Sequence, residues 1–402
     1  MEKKFLEVVD SSINNEAKLL NRISEEIWKN PELKFEEIAA HKLLTDALIE
    51  KGFSVKKSFV LPTAFIAEFD SKKPGPVVAT ICEYDALPEV GHACGHNLIA
   101  ESGFGAGLAI KAAMTTYPEI PGKVVVIGTP AEEGGGGKIK LINAGVFNDV
   151  DVALMVHPAP NDHLFPPFIG IERMTITFTG KESHASGYPW EGLNALDAVV
   201  GCYNNIALLR QQIKPTCKVH GIITKGGDAA NIIPGLTEMI LYIRAATTFD
   251  MQSLKKRIEA CIKSAAYATG CQEEIKYFDE ENYQSLMTNK LLAEIYKEYA
   301  EGFGVKFDDG NPKVIPFMAS SDMGNVSHTV PSIHPCYSIG TNAANHSKAF
   351  TQASGTKEAQ LATLITSKSM AMVGLKVLCD QEFLKNVKDQ FERDVREDAA
   401  AP

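Results

Sequence analysis

Three apolar runs rich in β-branched residues limit the folds open to this chain: Val77 to Cys82 (VVATIC), Val124 to Thr129 (VVVIGT) and Val152 to Val156 (VALMV). Uninterrupted runs of this kind, separated by helical stretches, suit strands covered on both faces, and hence a sheet with helices packed on it. Each run also ends in chemistry. The first leads through Glu83-Tyr84-Asp85 to Gly91-His92-Ala93-Cys94-Gly95-His96-Asn97. The second leads into Pro130-Ala131-Glu132-Glu133 and four glycines, and the third directly into His157. Ligands of such sheets gather beyond the carboxyl ends of the strands, so the thiol, imidazoles and carboxylates fall on one edge.

With 402 residues, 45% of them hydrophobic, the chain can bury a sizeable core and suggests two domains rather than one. A formal charge of -10 without a Lys/Arg block argues against a nucleic acid or a membrane surface as partner. The apolar runs fall short of a spanning length, and Glu2, Asp10 and Glu16 stand where a signal peptide would be apolar. A soluble, cytoplasmic protein is the expectation. The eight cysteines include no C-x-x-C pair, which disfavours a dithiol redox enzyme. Only Cys94 has chemically interesting neighbours.

Residues 1 to 51 read as two helices, the second carrying Ala40, Leu43, Leu44, Ala47 and Leu48 at helical spacing before the stop at Gly52. An element over Phe59 to Phe69 and a small-residue helix around Ala100 to Met114 accompany the apolar strands. From Arg173 the pattern changes: Met174, Ile176 and Phe178 alternate with threonines. A helix at Asn194 to Leu209 follows, then strands at Cys217 to Thr224 and Leu236 to Ala245, a helix with Asp250 as N-cap, and a strand at Glu273 to Phe278. That is the ferredoxin-like β-α-β-β-α-β order. Beyond it come a helix (Asn289 to Phe303), buried strands (Ile333 to Ile339), a closing helix (Ser354 to Cys379) and a charged end from Asp389 that should fray. The expected architecture is α/β. A central, mostly parallel sheet flanked by helices forms a discontinuous domain (1–172 and 283–402), and an α+β insert occupies 173–282.

Cys94, His96, Glu133, His157 and His346 are the candidate metal ligands. Taken singly each has a plain structural explanation: a core thiol, a hydrogen-bonded imidazole, a solvated acidic turn. Together they offer the donor set of a zinc-type ion. Five ligands exceed what one catalytic ion with an open position uses, and suit two ions sharing a bridge, a role a thiolate such as Cys94 can fill. Glu132 and Glu133 are adjacent, so only one readily points at a given ion; Glu133 is read as the ligand and Glu132 as the general base. Asp85 could orient a ligand histidine from behind, or cap a turn. Lys138 follows the glycines without a Ser or Thr after it, so a nucleotide loop is a weak reading. In the insert, His184 could donate to an oxyanion and Arg244 could meet a carboxylate, with Asn231 nearby; on local grounds all three could equally be surface residues.

The segments EYDALPEVGHACGHN, PAEEGGGGK, GKESHAS, GGDAANIIP, SSDMGNVSHTVPSIHP and NHSKAF, in this order over nearly the whole chain, resemble a known family. It is the dinuclear metallopeptidase family of aminoacylase, carboxypeptidase G and hippurate hydrolase, and the nearest branch is that of aminobenzoyl-glutamate hydrolase and β-alanyl-lysine dipeptidase. The resemblance implies a zinc-peptidase-like catalytic domain with an inserted lid that dimerises. It implies Cys94 as bridging ligand, His96, Glu133, His157 and His346 as terminal ligands, Glu132 as base and Asp85 as the carboxylate behind the metals. His184 would reach the active site of a partner in a homodimer, with Asn231 and Arg244 near the substrate's carboxylate. Asn97, Glu83 and Ser320-Ser321-Asp322 depart from other branches, Glu83 standing where some carry a histidine ligand.

The expected activity is metal-dependent hydrolysis of small dipeptides, β-alanyl or basic, that carry a free carboxylate. N-acyl amino acids and aminobenzoyl-glutamate conjugates are the alternative substrates. The cofactor would be two divalent ions, zinc first, with manganese, cobalt or nickel as alternatives. A non-catalytic ligand-binding relative should have lost Glu132 or a ligand, and none is lost. A thiol hydrolase using Cys94 would survive chelation.

Overall fold

In the computed structural model, which describes residues 2–309 and 319–400, the three apolar runs lie side by side. They form the middle of a six-stranded sheet ordered Ser54–Lys57, Phe65–Asp70, Lys123–Thr129, Val77–Glu83, Val152–Leu154, Ser332–Ile333. The last four strands are mutually parallel. The first two form an antiparallel edge. Alternation along each strand splits the core in two. Val78, Val124, Val126, Val152 and Leu154 belong to one apolar cluster, and Ala79, Ile81, Val125, Ile127 and Ala153 to the other. Both faces are thus covered, which is why the runs are continuous rather than alternating.

The helices that do the covering are themselves apolar all round. His96–Thr116 and Lys357–Cys379 bury most of their residues. Among the described residues, Lys357–Cys379 is one helix long and apolar enough to cross a bilayer, correcting the expectation that every apolar run falls short, but that stretch is mostly buried.

The chain divides into two compact units. The first runs up to Pro167, resumes at Leu286 and again over Asp322–Arg396. The second is built on Phe168–Ser285, with Ala319–Ser321 and the chain from Glu397. Its sheet is antiparallel throughout, ordered Gln272–Tyr277, Gly170–Thr179, Leu236–Ala245, Lys218–Lys225. Met174, Ile176, Phe178, Met239, Leu241 and Ile243 pack with Cys202, Ile258 and Ile262 of the helices Ala195–Leu209 and Thr248–Thr269. This is the ferredoxin-like arrangement.

Two local expectations are corrected. The N-cap of Thr248–Thr269 is Thr247, whose hydroxyl accepts the Asp250 N–H at 3.1 Å. Asp250 sits in the first turn and pairs with Lys214 at 2.7 Å. The charged end does not fray at Asp389: Gln381–Ala399 is helical, with Leu384 and Val387 buried and the Val387 carbonyl accepting from Asn289 Nδ2 at 3.0 Å.

Candidate metal centre and active site

Four short segments of the first unit carry the site, and each is shaped by backbone geometry. Gly95 precedes His96–Thr116 at φ +82, and a Cβ there would lie 2.5 Å from Pro158 Cγ. Only glycine lets Cys94 and His96 flank the start of the helix so closely. Beyond the Lys123–Thr129 strand, Ala131 adopts φ 58. The loop then folds back, Gly135 N–H donating to Ala131 O at 3.1 Å, and a Cβ on Gly137 would sit 1.7 Å from Pro130 O. His157 follows its strand run directly, and its Nδ1 lies 2.8 Å from Pro158 O. Donation to that carbonyl leaves Nε2 as the coordinating nitrogen. His346, at φ 65, donates its backbone N–H to Ala93 O at 2.8 Å, which delivers its ring beside Cys94.

The side chains converge. Cys94 Sγ is 3.3 Å from His157 Nε2, and His346 Nε2 is 3.5 Å from Glu133 Oε1. The donor atoms of Cys94, His96 and His157 all lie within 4.8 Å of one another, as do those of Cys94, Glu133 and His346. The two triads share Cys94. Asp85 stands behind them: its Oδ1 is 3.0 Å from His96 Nδ1, and its Oδ2 accepts the Glu133 N–H at 2.9 Å. The expectation that only one of the adjacent glutamates can approach a given ion is corrected. Glu132 Oε2 and Glu133 Oε1 each come within 3.9 Å of His96 Nε2.

The electrostatics suit cations. Burial, then Glu133, raises the Cys94 thiol well above its ordinary pKa. Burial, then Glu83 and Glu133, does the same to Glu132. Burial alone would depress His96, but Asp85 and Cys94 outweigh it and carry the imidazole well above its usual value. His157, buried and beside His96, is lowered to about 4, so it is neutral. A divalent ion reverses this logic by favouring thiolate and carboxylate. Its fit is visible in the buried donors: His96 Nε2 and Glu133 Oε1 have no hydrogen-bond partner among the described residues. Leaving such atoms unsatisfied costs about 1–3 kcal/mol each, and thiolate, imidazole and carboxylate are zinc-type donors.

Residues passed over in the sequence complete the site. Lys138 is fully buried and donates from Nζ to Glu83 Oε1 and, at 2.6 Å, to Asp322 Oδ1. Its backbone N–H also reaches Asp322 Oδ2 at 2.9 Å. The glycine run therefore ends in an internal ammonium. Glu83 turns its other oxygen to within 3.5 Å of His96 Nε2. Asn97 lies outside the ligand set, donating to Ser24 Oγ and Ser354 O.

The remaining expected residues belong to the second unit. His184 is exposed, its Nδ1 accepting the Gly187 N–H at 3.1 Å. Exposed Asn231 is its neighbour, since Asn231 O accepts from Ala185 N–H and His184 pairs with Ile232. Arg244 donates to Ser320 Oγ at 2.9 Å and to His220 Nε2 at 3.2 Å. It lines a cavity of about 520 Å³ with Arg210, Lys214, Lys218 and His220.

Comparison with known proteins adds to this geometry. The family described as Peptidase dimerisation domain matches residues 169–270. The Xaa-Arg dipeptidase of Homo sapiens is 44% identical over 400 residues, covering 96% of this chain and 92% of that protein. A p-aminobenzoyl-glutamate hydrolase of Escherichia coli is 32% identical over 316 residues, covering 74% of this chain and 65% of that one. Among solved structures, a putative aminohydrolase from methicillin-resistant Staphylococcus aureus superposes with a TM-score of 0.78 at 21% identity, covering 92% of this chain and 99% of that one. A Bacillus subtilis protein described as a dinuclear metal-binding peptidase of the M20 family superposes with a TM-score of 0.72 at 21% identity, covering 91% and 99%. At that identity the two structures speak for the fold.

Proposed function

The chain belongs to the M20 peptidase family and is a hydrolase of peptide or amide bonds, and from that premise we propose a two-metal dipeptidase for short substrates ending in a basic residue. The similarity to the human Xaa-Arg dipeptidase over almost the whole chain supports the substrate class. The observation that carries the chemistry is the pair of donor triads meeting at Cys94.

Two divalent ions there, zinc first and manganese, cobalt or nickel as alternatives, would supply Lewis acidity at the carbonyl and make water acidic enough to deprotonate. Glu132, beside the His96 ring, takes the proton of the attacking water and passes it to the leaving nitrogen. Asp85 holds His96 and the Glu133 backbone in place. We assign His184 to the oxyanion, and Asn231 and Arg244 to the substrate's carboxylate end. The working form in this reading is a cytoplasmic homodimer joined through the unit that matches the dimerisation domain.

The likeness to the E. coli p-aminobenzoyl-glutamate hydrolase favours a second reading, deacylation of aminobenzoyl-glutamate or N-acyl amino acids by the same chemistry. A panel of Xaa-Arg, Xaa-Lys and β-alanyl dipeptides, N-acetyl amino acids and aminobenzoyl-glutamate separates them, run beside elemental analysis. Basic dipeptides should lead by at least about tenfold in kcat/KM, a gap of about 1.4 kcal/mol. Chelation should abolish turnover until metal is restored. Preference for the acylated substrates would replace the first reading with the second, and turnover that resists chelation would remove both.

A further inference from the structure

The stretch between the first two helices, residues 32–37, reaches both loops of the metal centre, and its most buried member has no role so far. Glu37 immediately precedes the helix Ile38–Glu50, where an acid ordinarily caps the free N–H groups, yet its side chain makes no capping bond. Glu32 does that work instead, its two oxygens accepting from Ala39 N–H at 2.8 Å and Ala40 N–H at 2.9 Å. Glu37 is thereby free to turn inward, where it is fully buried. Its Oε1 accepts two backbone N–H groups, of Phe35 and of Ala131, each at 2.9 Å. Its Oε2 accepts the Thr63 hydroxyl at 2.7 Å.

The Ala131 bond matters because of what that residue does. At φ 58 it occupies a region that L-residues avoid, and it is the turn that presents Glu132. The same stretch grips the loop elsewhere. Lys34 Nζ donates to Gly134 O at 2.7 Å, and the Phe35 ring lies so close that a Cβ on Gly135 would meet it at 2.7 Å. Glu32 O also accepts the Ala86 N–H at 2.8 Å, beside Asp85.

We infer that Glu37 is a positioning residue for the general base: by anchoring the Ala131 N–H it holds the left-handed turn that aims the Glu132 carboxylate. The inference rests on the role given to Glu132 above.

Three variants test it in the metal-loaded enzyme. Glu37→Gln keeps an oxygen for the two N–H groups, and the Thr63 hydroxyl can accept from the new amide. It should stay within about threefold of wild-type kcat. Glu37→Asp keeps the charge but withdraws the carboxylate by one methylene. It and Glu37→Ala should lose at least about tenfold in kcat, with KM and metal content little changed; a misplacement of about 1 Å can cost a hundredfold. Deuterium uptake over residues 130–137 should rise in these two variants and not in Glu37→Gln. Wild-type kcat in Glu37→Asp and Glu37→Ala overturns the inference, as does activity restored by excess metal. Failure of all three variants to fold also overturns it, making Glu37 a stability residue. Glu132→Gln keeps the two readings apart: turnover surviving that change refutes the base, whereas uptake over 130–137 still reports on Glu37.

Discussion

His96 meets Asp85 through Nδ1 at 3.0 Å, so its Nε2 is the ring nitrogen that faces the other donors. The same carboxylate takes the Glu133 N–H at 2.9 Å. One side chain therefore sets the tautomer of one candidate ligand and the backbone of another. Carboxylates placed this way behind a metal-binding histidine are worth about 10–100-fold in metal affinity. Asp85→Asn should weaken metal binding by that factor in a competition titration with a chromophoric chelator. Asp85→Ala, which also frees the Glu133 N–H, should weaken it further. Unaltered affinity in both would reduce Asp85 to a turn residue.

The adjacent glutamates should separate cleanly. Glu132→Ala should leave metal content near normal while kcat falls about 10²–10⁴-fold, the range of a positioned acid–base group. Glu133→Ala should instead lower the metal stoichiometry, because its Oε1 is the oxygen near both His96 Nε2 and His346 Nε2. Elemental analysis beside kcat decides the matter. Turnover retained in Glu132→Ala would strip that residue of its role.

What the sequence showed and hid follows from the same physics. Cys94, His96, Glu133 and His157 each lie just past an apolar run, and the sheet carries run ends to one edge, so their convergence was legible. His346 was legible only through its motif. Lys138 was not, because lysine is almost never fully buried and its partners Glu83 and Asp322 lie far from it in sequence; Glu83 and Asp322 themselves read as strand-end and loop acids. Glu37 was hidden in Phe35-Glu36-Glu37, which reads as a solvated helix start. The cap before Thr248–Thr269 could not be chosen locally, since Thr247 and Asp250 are both capping types and only the fold shows which accepts from the other. The charged tail was misjudged on composition, where Leu384 and Val387, three apart on one helical face, carried the signal.

Lys138 is the next position where burial makes a sharp prediction. Its ammonium, with no exposure, bonds Glu83 and Asp322, which are equally enclosed. Removing one partner from a buried ionic group costs about 3–5 kcal/mol, because the charges left behind have lost their counterion. Lys138→Met should lower the free energy of unfolding by that amount in urea titrations near neutral pH. The deficit should shrink at acid pH as the stranded carboxyls protonate. A loss below about 1 kcal/mol would mean that the surrounding structure relaxes to hydrate them.

Glu101 supplies a pH dependence away from the metal centre. It lies fully buried on the helix His96–Thr116. Burial, opposed in part by Ser24, raises its pKa from 4.5 to about 8. The folded state therefore keeps a proton that the unfolded chain gives up. Its contribution to stability is fully present below pH 4.5, declines as pH rises, and is lost once pH passes about 8. At about 1.4 kcal/mol per pH unit the ceiling is several kcal/mol. Glu101→Gln has nearly the same shape and does not titrate, so subtracting its melting curve from that of wild type isolates this one group. Between pH 5 and 9 the variant should gain on wild type steadily and be the more stable protein at the alkaline end. Parallel Tm profiles would show that Glu101 is hydrated in solution and ionises as an ordinary carboxylate.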